Sequence, residues 1–272
     1  MVNKAVVFEL NDKGGFYSVF FFLIQSYIYA KKNKYDFFIR HTNWYYMYET
    51  GWHDYFTSLN LFSEDYKEKY SEIIYCAHVT IPNIPNYTLN EYIIAIKEIY
   101  VLKPILLEKS NNIIQTQIND PYFHAIFIRR GDKISCKEAK YIEVSDILAC
   151  INLPASCKNL FVQTDDCRVI DEIKKILGPK NIIVHSTVFD NKFGSYSKIW
   201  NNYSSEERKK QTEEMLIGLQ ICLQACSIYT DFTSNVGRFL KLSNYDKVKF
   251  YMHNKKLALD KPVRNPAWGF YL

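Results

Sequence analysis

The chain has 272 residues, 48% of them hydrophobic and 16% aromatic; this excludes a disordered protein and implies one large domain or two modest ones around a sizeable core. Its net charge of +5 suits an anionic small ligand and is too weak and too evenly spread to argue for nucleic acid. Ala5 to Leu10 is a short apolar run that predicts a strand rather than a cleavable signal, so no signal peptide is expected. A turn at Asn11 to Gly15 and a helix through about Lys32 follow. The apolar part of that helix, Phe16 to Ala30, is interrupted by Ser18, Gln25 and Ser26. It falls short of the roughly 18–20 residues a bilayer demands, which predicts a buried helix and no membrane span. Asp36 to Arg40 reads as a second strand, and Asn90 to about Ile118 as a helical stretch broken near Pro104. Phe123 to Ile128 is an apolar strand with a basic run at its end.

The same alternation continues. A helix near Ile142 to Cys150 precedes a strand at Asn159 to Gln163, and a helix from about Arg168 to Leu177 precedes a strand at Asn181 to His185. Ser204 with Glu207 three positions on forms a capping-box pattern for a long helix. Met215, Leu219, Cys222, Leu223 and Cys226 fall on one face of it. Ile228 to Thr230 is a strand and Asn235 to Leu242 a helix. Strands alternating with helices predict an α/β protein with parallel sheets. We expect a boundary near Asp120, giving domains 1–119 and 120–272 with a cleft between them.

In open parallel sheets ligands bind beyond the carboxyl ends of the strands. Four polar clusters stand there: Asn11 to Gly15, Arg129 to Lys133, Thr164 to Asp166, and Asp231 to Asn235. Arg129, Arg130 and Lys133 bring three cations together, and arginine forks bind phosphate oxygens in bidentate fashion. Such cations stabilise the charge that develops on a departing diphosphate. The plain alternative is a solvated turn that ends the strand. Asp132 either holds an arginine or makes its own ligand contact. Asp165 and Asp166 are open to metal ligation, ribose contact or helix capping. No Asp-x-Asp pair exists in the chain, which weakens a manganese-dependent mechanism. Thr233, Ser234 and Asn235 open a helix, where backbone N–H groups bind phosphate or the hydroxyls simply cap. Gly14 and Gly15 are candidate donor contacts, although they lack a full glycine-rich fingerprint. Trp44 and Trp52 lie in an aromatic-rich stretch that either stacks on a sugar ring or belongs to the core.

The seven cysteines are odd in number and without a Cys-x-x-Cys pair, which argues against a disulfide framework or zinc knuckle and for a reducing compartment. The six histidines show no metal spacing.

These clusters together resemble a known group. Phe-Ile-Arg-Arg-Gly-Asp-Lys at 127–133 resembles the His-x-Arg-Arg-x-Asp-Lys motif of α1,6-fucosyltransferases and their rhizobial Nod-factor relatives. Thr164-Asp165-Asp166 resembles the second motif of that family, and Asp231 to Arg238 is similar to its Phe-Ser-Ser-Gln-Val-Cys-Arg motif. Asn43-Trp44, then Gly51-Trp52 and Phe56, is similar to a stretch of its first domain, and the matches keep their order.

The resemblance implies a GT-B-like fold of two Rossmann-like α/β domains, the first on the acceptor side and the second holding a nucleotide-sugar. It also implies inverting transfer to a glycan acceptor without a metal cofactor. Arg129 would bind the donor diphosphate and Ser234 would be a further donor contact. The family's catalytic glutamate has Glu138 as its nearest counterpart, although a gapless match puts Lys137 there. Chemically, a carboxylate must take the acceptor hydroxyl proton; Asp12 is the rival base, and Lys133 would assist. The motif histidine associated with guanine is Phe127 here, and the aspartate before the third motif falls at Gly218, with Glu214 one turn earlier. The donor is therefore GDP-fucose by resemblance or a uridine donor such as UDP-xylose. A bacterial or viral enzyme of the cytoplasm is expected. The alternative is a non-catalytic nucleotide-sugar or glycan-binding protein of the same fold.

Overall fold

The computed structural model describes residues 3–11, 14–78, 87–131, 141–188 and 202–251. They fall into two compact units that divide between Lys103 and Pro104, ahead of the boundary expected near Asp120.

The first unit is built on a parallel sheet of β1 (Lys4–Leu10), β2 (Asp36–His41), β3 (Asn60–Leu61) and β4 (Glu72–Ala77), in the order β3-β2-β1-β4. Ala5, Val6, Val7 and Phe8 of central β1 are fully buried, as expected of a strand covered on both faces. The α1 helix (Phe16–Asn33) makes the crossover from β1 to β2 and ends at Lys34 in the left-handed conformation, with φ of 59°. Its buried residues go nearly all round, from Phe16 and Tyr17 through Leu23, Ile24, Ser26 and Ala30. A helix apolar on all sides belongs inside a protein core or a bilayer. Among the described residues no helix is long and apolar enough to cross a membrane. The α2 helix (Leu89–Ile99) starts with a capping box between Thr88 and Glu91.

The helical stretch read from Asn90 to about Ile118 is broken at Pro104 as expected, and the break is also where the two units divide. α3 (Pro104–Ile113) is separate from α2, and a turn of wider helix continues it to Ile118. Pro104 opens α3 rather than kinking a longer helix, because a first-turn proline has no intrahelical N–H to lose. The sheet of the second unit consists of β5 (His124–Ile128), β6 (Asn159–Thr164), β7 (Ile183–His185), β8 (Ile228–Thr230) and β9 (Val248–Phe250). It is parallel throughout, in the order β7-β6-β5-β8-β9.

One face of this sheet is covered by α4 (Val144–Cys150) and α5 (Cys167–Leu177), whose Val144, Ile147, Val169, Ile170 and Ile173 pack on Ile126, Ile128, Leu160 and Val162. Burying each such aliphatic side chain contributes about 1.5–3 kcal/mol. α6 (Ser205–Gln224) lies against β5 and β6, and α7 (Asn235–Ser243) against α6 and β9. The capping box of α6 forms as its sequence predicts: Glu207 N donates to Ser204 Oγ at 3.2 Å and Ser204 N to Glu207 Oε2 at 2.7 Å. Its buried face is broader than the expected stripe. Leu219 and Cys222 are buried with Leu216, Ile217 and Ile221, while Cys226 lies past the helix end and is exposed. α3 runs along α6, tied by Lys109 to Glu213 at 2.6 Å. That contact draws α3 into the second unit.

Candidate functional site

In the second unit, β5 is followed by a crossover to β6 on one side, and β8 lies on its other side. The chain reverses its winding direction between β5 and β8, and loops leaving adjacent strand ends there diverge to leave a crevice. Two of the four polar clusters come from those strand ends, and a third follows neighbouring β6.

The turn after β5 is held from below by Asp165. Its Oδ1 accepts the Arg130 backbone N–H at 2.6 Å, and its Oδ2 lies 3.3 Å from Arg129 Nε. Gly131 then turns the chain with φ of 66°, where a side chain would be strained. The two arginines face different surroundings. Arg129 is partly exposed. Arg130 is only 6% exposed; its guanidinium donates to Ile142 O at 2.7 Å and lies 4.5 Å from the centre of the Tyr141 ring. The Arg130 side chain thus braces the chain at Tyr141 and Ile142.

Of the tandem aspartates, Asp166 is the helix cap. It accepts from Arg168 N at 3.0 Å and from the Arg168 guanidinium at 2.9 and 2.5 Å. Burial opposes its ionisation, but the Arg168 bonds outweigh that and hold the carboxyl below its ordinary pKa.

After β8, Asp231 Oδ1 accepts from Thr233 N at 2.9 Å, Thr233 Oγ1 at 2.5 Å and Ser234 N at 2.9 Å. Ser234 Oγ in turn accepts from Val236 N at 3.1 Å and Gly237 N at 3.3 Å, capping α7. Asn235 Oδ1 accepts from Arg238 Nη1 at 3.2 Å, and Arg238 Nε donates to Phe232 O at 2.9 Å. Burial pulls the Arg238 pKa below its ordinary value, with Asp231 opposing. Gly237 is required by close approach, since a Cβ there would stand 1.9 Å from Asp231 O.

Sequence reasoning missed Tyr251. Its N–H donates to Thr230 O and its hydroxyl to Phe127 O, both at 3.0 Å, so one residue ties the ends of β8 and β5 together. Burial, reinforced by Asp231, raises its pKa well above the ordinary value. Nothing in the local sequence marks it. Phe127, read as a substitute in the first motif, is 5% exposed in β5 and pairs in register with Gln163 of β6. Gly218 of α6 faces the same Gln163, and a Cβ there would stand 1.9 Å from Gln163 Oε1.

Comparison with known proteins fits this architecture. No family model and no curated protein sequence matches the chain. Among solved structures it is similar to the α-1,6-fucosyltransferase NodZ soaked with GDP-fucose, at 11% identity and a TM-score of 0.59, over 88% of this chain and 92% of NodZ. The fucosyltransferase NodZ from Bradyrhizobium gives a TM-score of 0.60 at 10% identity, over 89% and 93%. Arabidopsis thaliana FUT1 in complex with GDP gives 0.57 at 9% identity, over 94% of this chain and 71% of FUT1. The fold is GT-B-like. The two NodZ structures among these neighbours are fucosyltransferases, the group that the ordered motifs resemble.

Within this GT-B-like fold the first unit has its own reversal point, between β1 and β4. Gly14, with φ of 120°, and Gly15 lead into α1 there, and Gly15 O accepts from Ser18 N and Val19 N at 2.9 and 3.1 Å. Gly14 packs on His78, whose Nε2 is 3.0 Å from Ser18 Oγ. Trp44 and Trp52 are core residues, 5% and 1% exposed. Trp52 stacks on Phe56 at 4.1 Å and on Phe20 at 6.2 Å. Neither indole presents an open face, so the sugar-stacking expectation gives way to the packing one. Asp12, Asp132, Lys133 and Glu138 lie outside the described residues. Among the described residues no group of three or more His, Cys, Asp or Glu side chains is arranged to hold a metal ion.

Proposed function

We propose that this chain is an inverting glycosyltransferase that moves a sugar from a nucleoside-diphosphate donor to a hydroxyl of a glycan acceptor. The observation that carries this reading is the convergence, at the reversal point of one parallel sheet, of the partly exposed Arg129 with the N-terminus of α7. A guanidinium fork and helix N–H dipoles are complementary to a diphosphate, whose charge grows as the glycosidic C–O bond breaks. Arg129 is the diphosphate ligand in this reading, with Thr233, Ser234 and Asn235 at the helix end. The second unit holds the donor and the first serves the acceptor side. The acceptor oxygen attacks from the face opposite the leaving group while its proton passes to a carboxylate. Glu138 and Asp12 are the candidates for that base, and Lys133 assists. Cations rather than a metal neutralise the leaving group, so transfer should persist in EDTA.

The GDP and GDP-fucose complexes of the structural neighbours support GDP-fucose as the donor. Phe127 and Gly218, both apolar where that family has polar groups, support a uridine donor such as UDP-xylose. The free cysteines, of which Cys150 and Cys226 are exposed, support a cytoplasmic location.

A thermal-shift screen with GDP, UDP, GDP-fucose and UDP-xylose tests the reading and separates the two donors. A ligand at about 100 times its dissociation constant should stabilise by roughly 2.7 kcal/mol. Arg129→Ala should abolish both the shift and transfer while leaving the protein folded, with an unliganded melting temperature lowered by the loss of the partner of buried Asp165. Normal turnover by that variant would remove Arg129 from the diphosphate site. Donor binding without transfer to any acceptor would make the chain a binding protein.

A further inference from the structure

We propose that Asp165 is a positioning residue, which fixes the Arg129 guanidinium and the turn beneath it and does not itself contact the donor. The inference rests on the reading of Arg129 as the diphosphate ligand. Asp165 is only 6% exposed. Burying a carboxylate costs several kcal/mol unless charge and hydrogen bonds compensate, so its position needs a reason.

Besides a ribose contact, which would have to share carboxylate oxygens already engaged by Arg130 N and Arg129 Nε, three roles compete for it. Helix capping belongs to its neighbour, since the Asp166 carboxylate receives Arg168 N and the Arg168 guanidinium. Metal ligation lacks a donor set among the described residues. Direct contact with a diphosphate would set like charges against each other. What the carboxylate does instead is divide its oxygens: Oδ1 takes the backbone N–H of Arg130, and Oδ2 meets Nε of Arg129.

Because Asp165 lies at the end of β6, in register beside β5, this arrangement references the arginine to the sheet. An arginine held on its Nε edge has fewer rotamers to lose when it meets an anion, and that saving appears as affinity. The Arg130 side chain, bonded to Ile142 O, steadies the same turn from the other side.

The test measures dissociation constants by calorimetry for inorganic pyrophosphate, UDP and GDP. The proteins compared are wild type, Asp165→Asn, Arg129→Ala and the double variant. Asparagine keeps an oxygen for the Arg130 N–H and loses the charge facing Arg129. Asp165→Asn is expected to weaken every probe that wild type binds, by roughly 10- to 100-fold, the range of a charged hydrogen bond. In the Arg129→Ala background the same change should cost less than about threefold, because the group it positions is gone. Equal binding by Asp165→Asn and wild type would overturn the proposal, as would a full-sized effect in the double variant.

Arg129→Lys guards against a folding defect in the aspartate variant, since it alters a partly exposed side chain. Lysine keeps the charge and has no Nε edge for Asp165 to hold. It should bind the probes as weakly as Asp165→Asn, and binding at wild-type strength would equally refute the positioning role. If wild type binds none of the three probes, the diphosphate reading of Arg129 falls and takes the proposal with it.

Discussion

Replacing Gly237 by alanine should damage the candidate site through packing alone. Gly237 lies in the first turn of α7, and its N–H donates to the Ser234 cap. An added Cβ would meet Asp231 O at 1.9 Å and Thr230 Oγ1 at 2.9 Å, where ordinary contact begins at 3.4 Å. Both obstacles belong to the end of β8, and the nearer one is backbone, so the helix must move away from the strand. Forcing a methyl group into a packed interior costs typically 1–3 kcal/mol. A backbone obstacle puts this case at the upper end, and the helix propensity gained over glycine returns about 1 kcal/mol. The net loss is about 2 kcal/mol, or roughly 4–8 °C in melting temperature for a unit of this size. Calorimetric melts of Gly237→Ala and Gly178→Ala would measure it. At Gly178 nothing lies within 4 Å of an added Cβ and the φ is −51°, so that variant should be neutral or slightly stabilised. Donor affinity should fall with stability in Gly237→Ala only. A Gly237→Ala protein that melts with wild type and binds UDP or GDP equally would refute the claim that this close approach sets the α7 N-terminus.

Two further outcomes follow from the packing and electrostatics. The Asp166 carboxyl has a folded-state pKa below its ordinary value, so its stabilising effect is complete above the unfolded pKa and is lost as the pH falls through the folded one. Asp166→Ala should lower stability at neutral pH by about 1–2 kcal/mol as a lost cap, and the deficit should shrink below pH 4 in urea titrations if the assignment is right. Trp52→Ala should cost about 3–5 kcal/mol, the range for deleting a buried large aromatic; a stable variant with only acceptor binding impaired would restore the sugar-stacking role.

The strands most plainly legible in the sequence are the buried ones, although β2 and β7, only partly buried, are also read from it. β1, β5 and β6 are near-continuous apolar runs because helices or loops cover both faces, and each ends in a polar cluster because its loop must emerge at the carboxyl edge. β3 escaped because its two residues are both exposed and derive their strand geometry from pairing with β2. β9 is three residues with a lysine at its centre. The Ile73 to Ala77 run of β4 is short enough to suit a buried helix segment equally well. In each case long-range pairing decided the outcome, and local pattern carries no record of it.

The candidate site divides in the same way. Motif order located Arg129, Arg130, Asp165, Asp166 and Ser234 at strand ends, but a string of charges gives every member the same standing. Consecutive residues leave an extended strand on opposite sides, so Arg129 and Arg130 were bound to meet different surroundings. Tertiary contacts then separate them: Asp165 takes one arginine by its Nε and the other by its backbone, while Ile142 O receives the second guanidinium. The tandem aspartates divide likewise, one capping α5 and the other bracing the turn. Arg130 and Asp165 thus satisfy each other and the turn, as buried polar groups must. In the proposed reading, Arg129, the more exposed of the two arginines, is the one that meets the diphosphate.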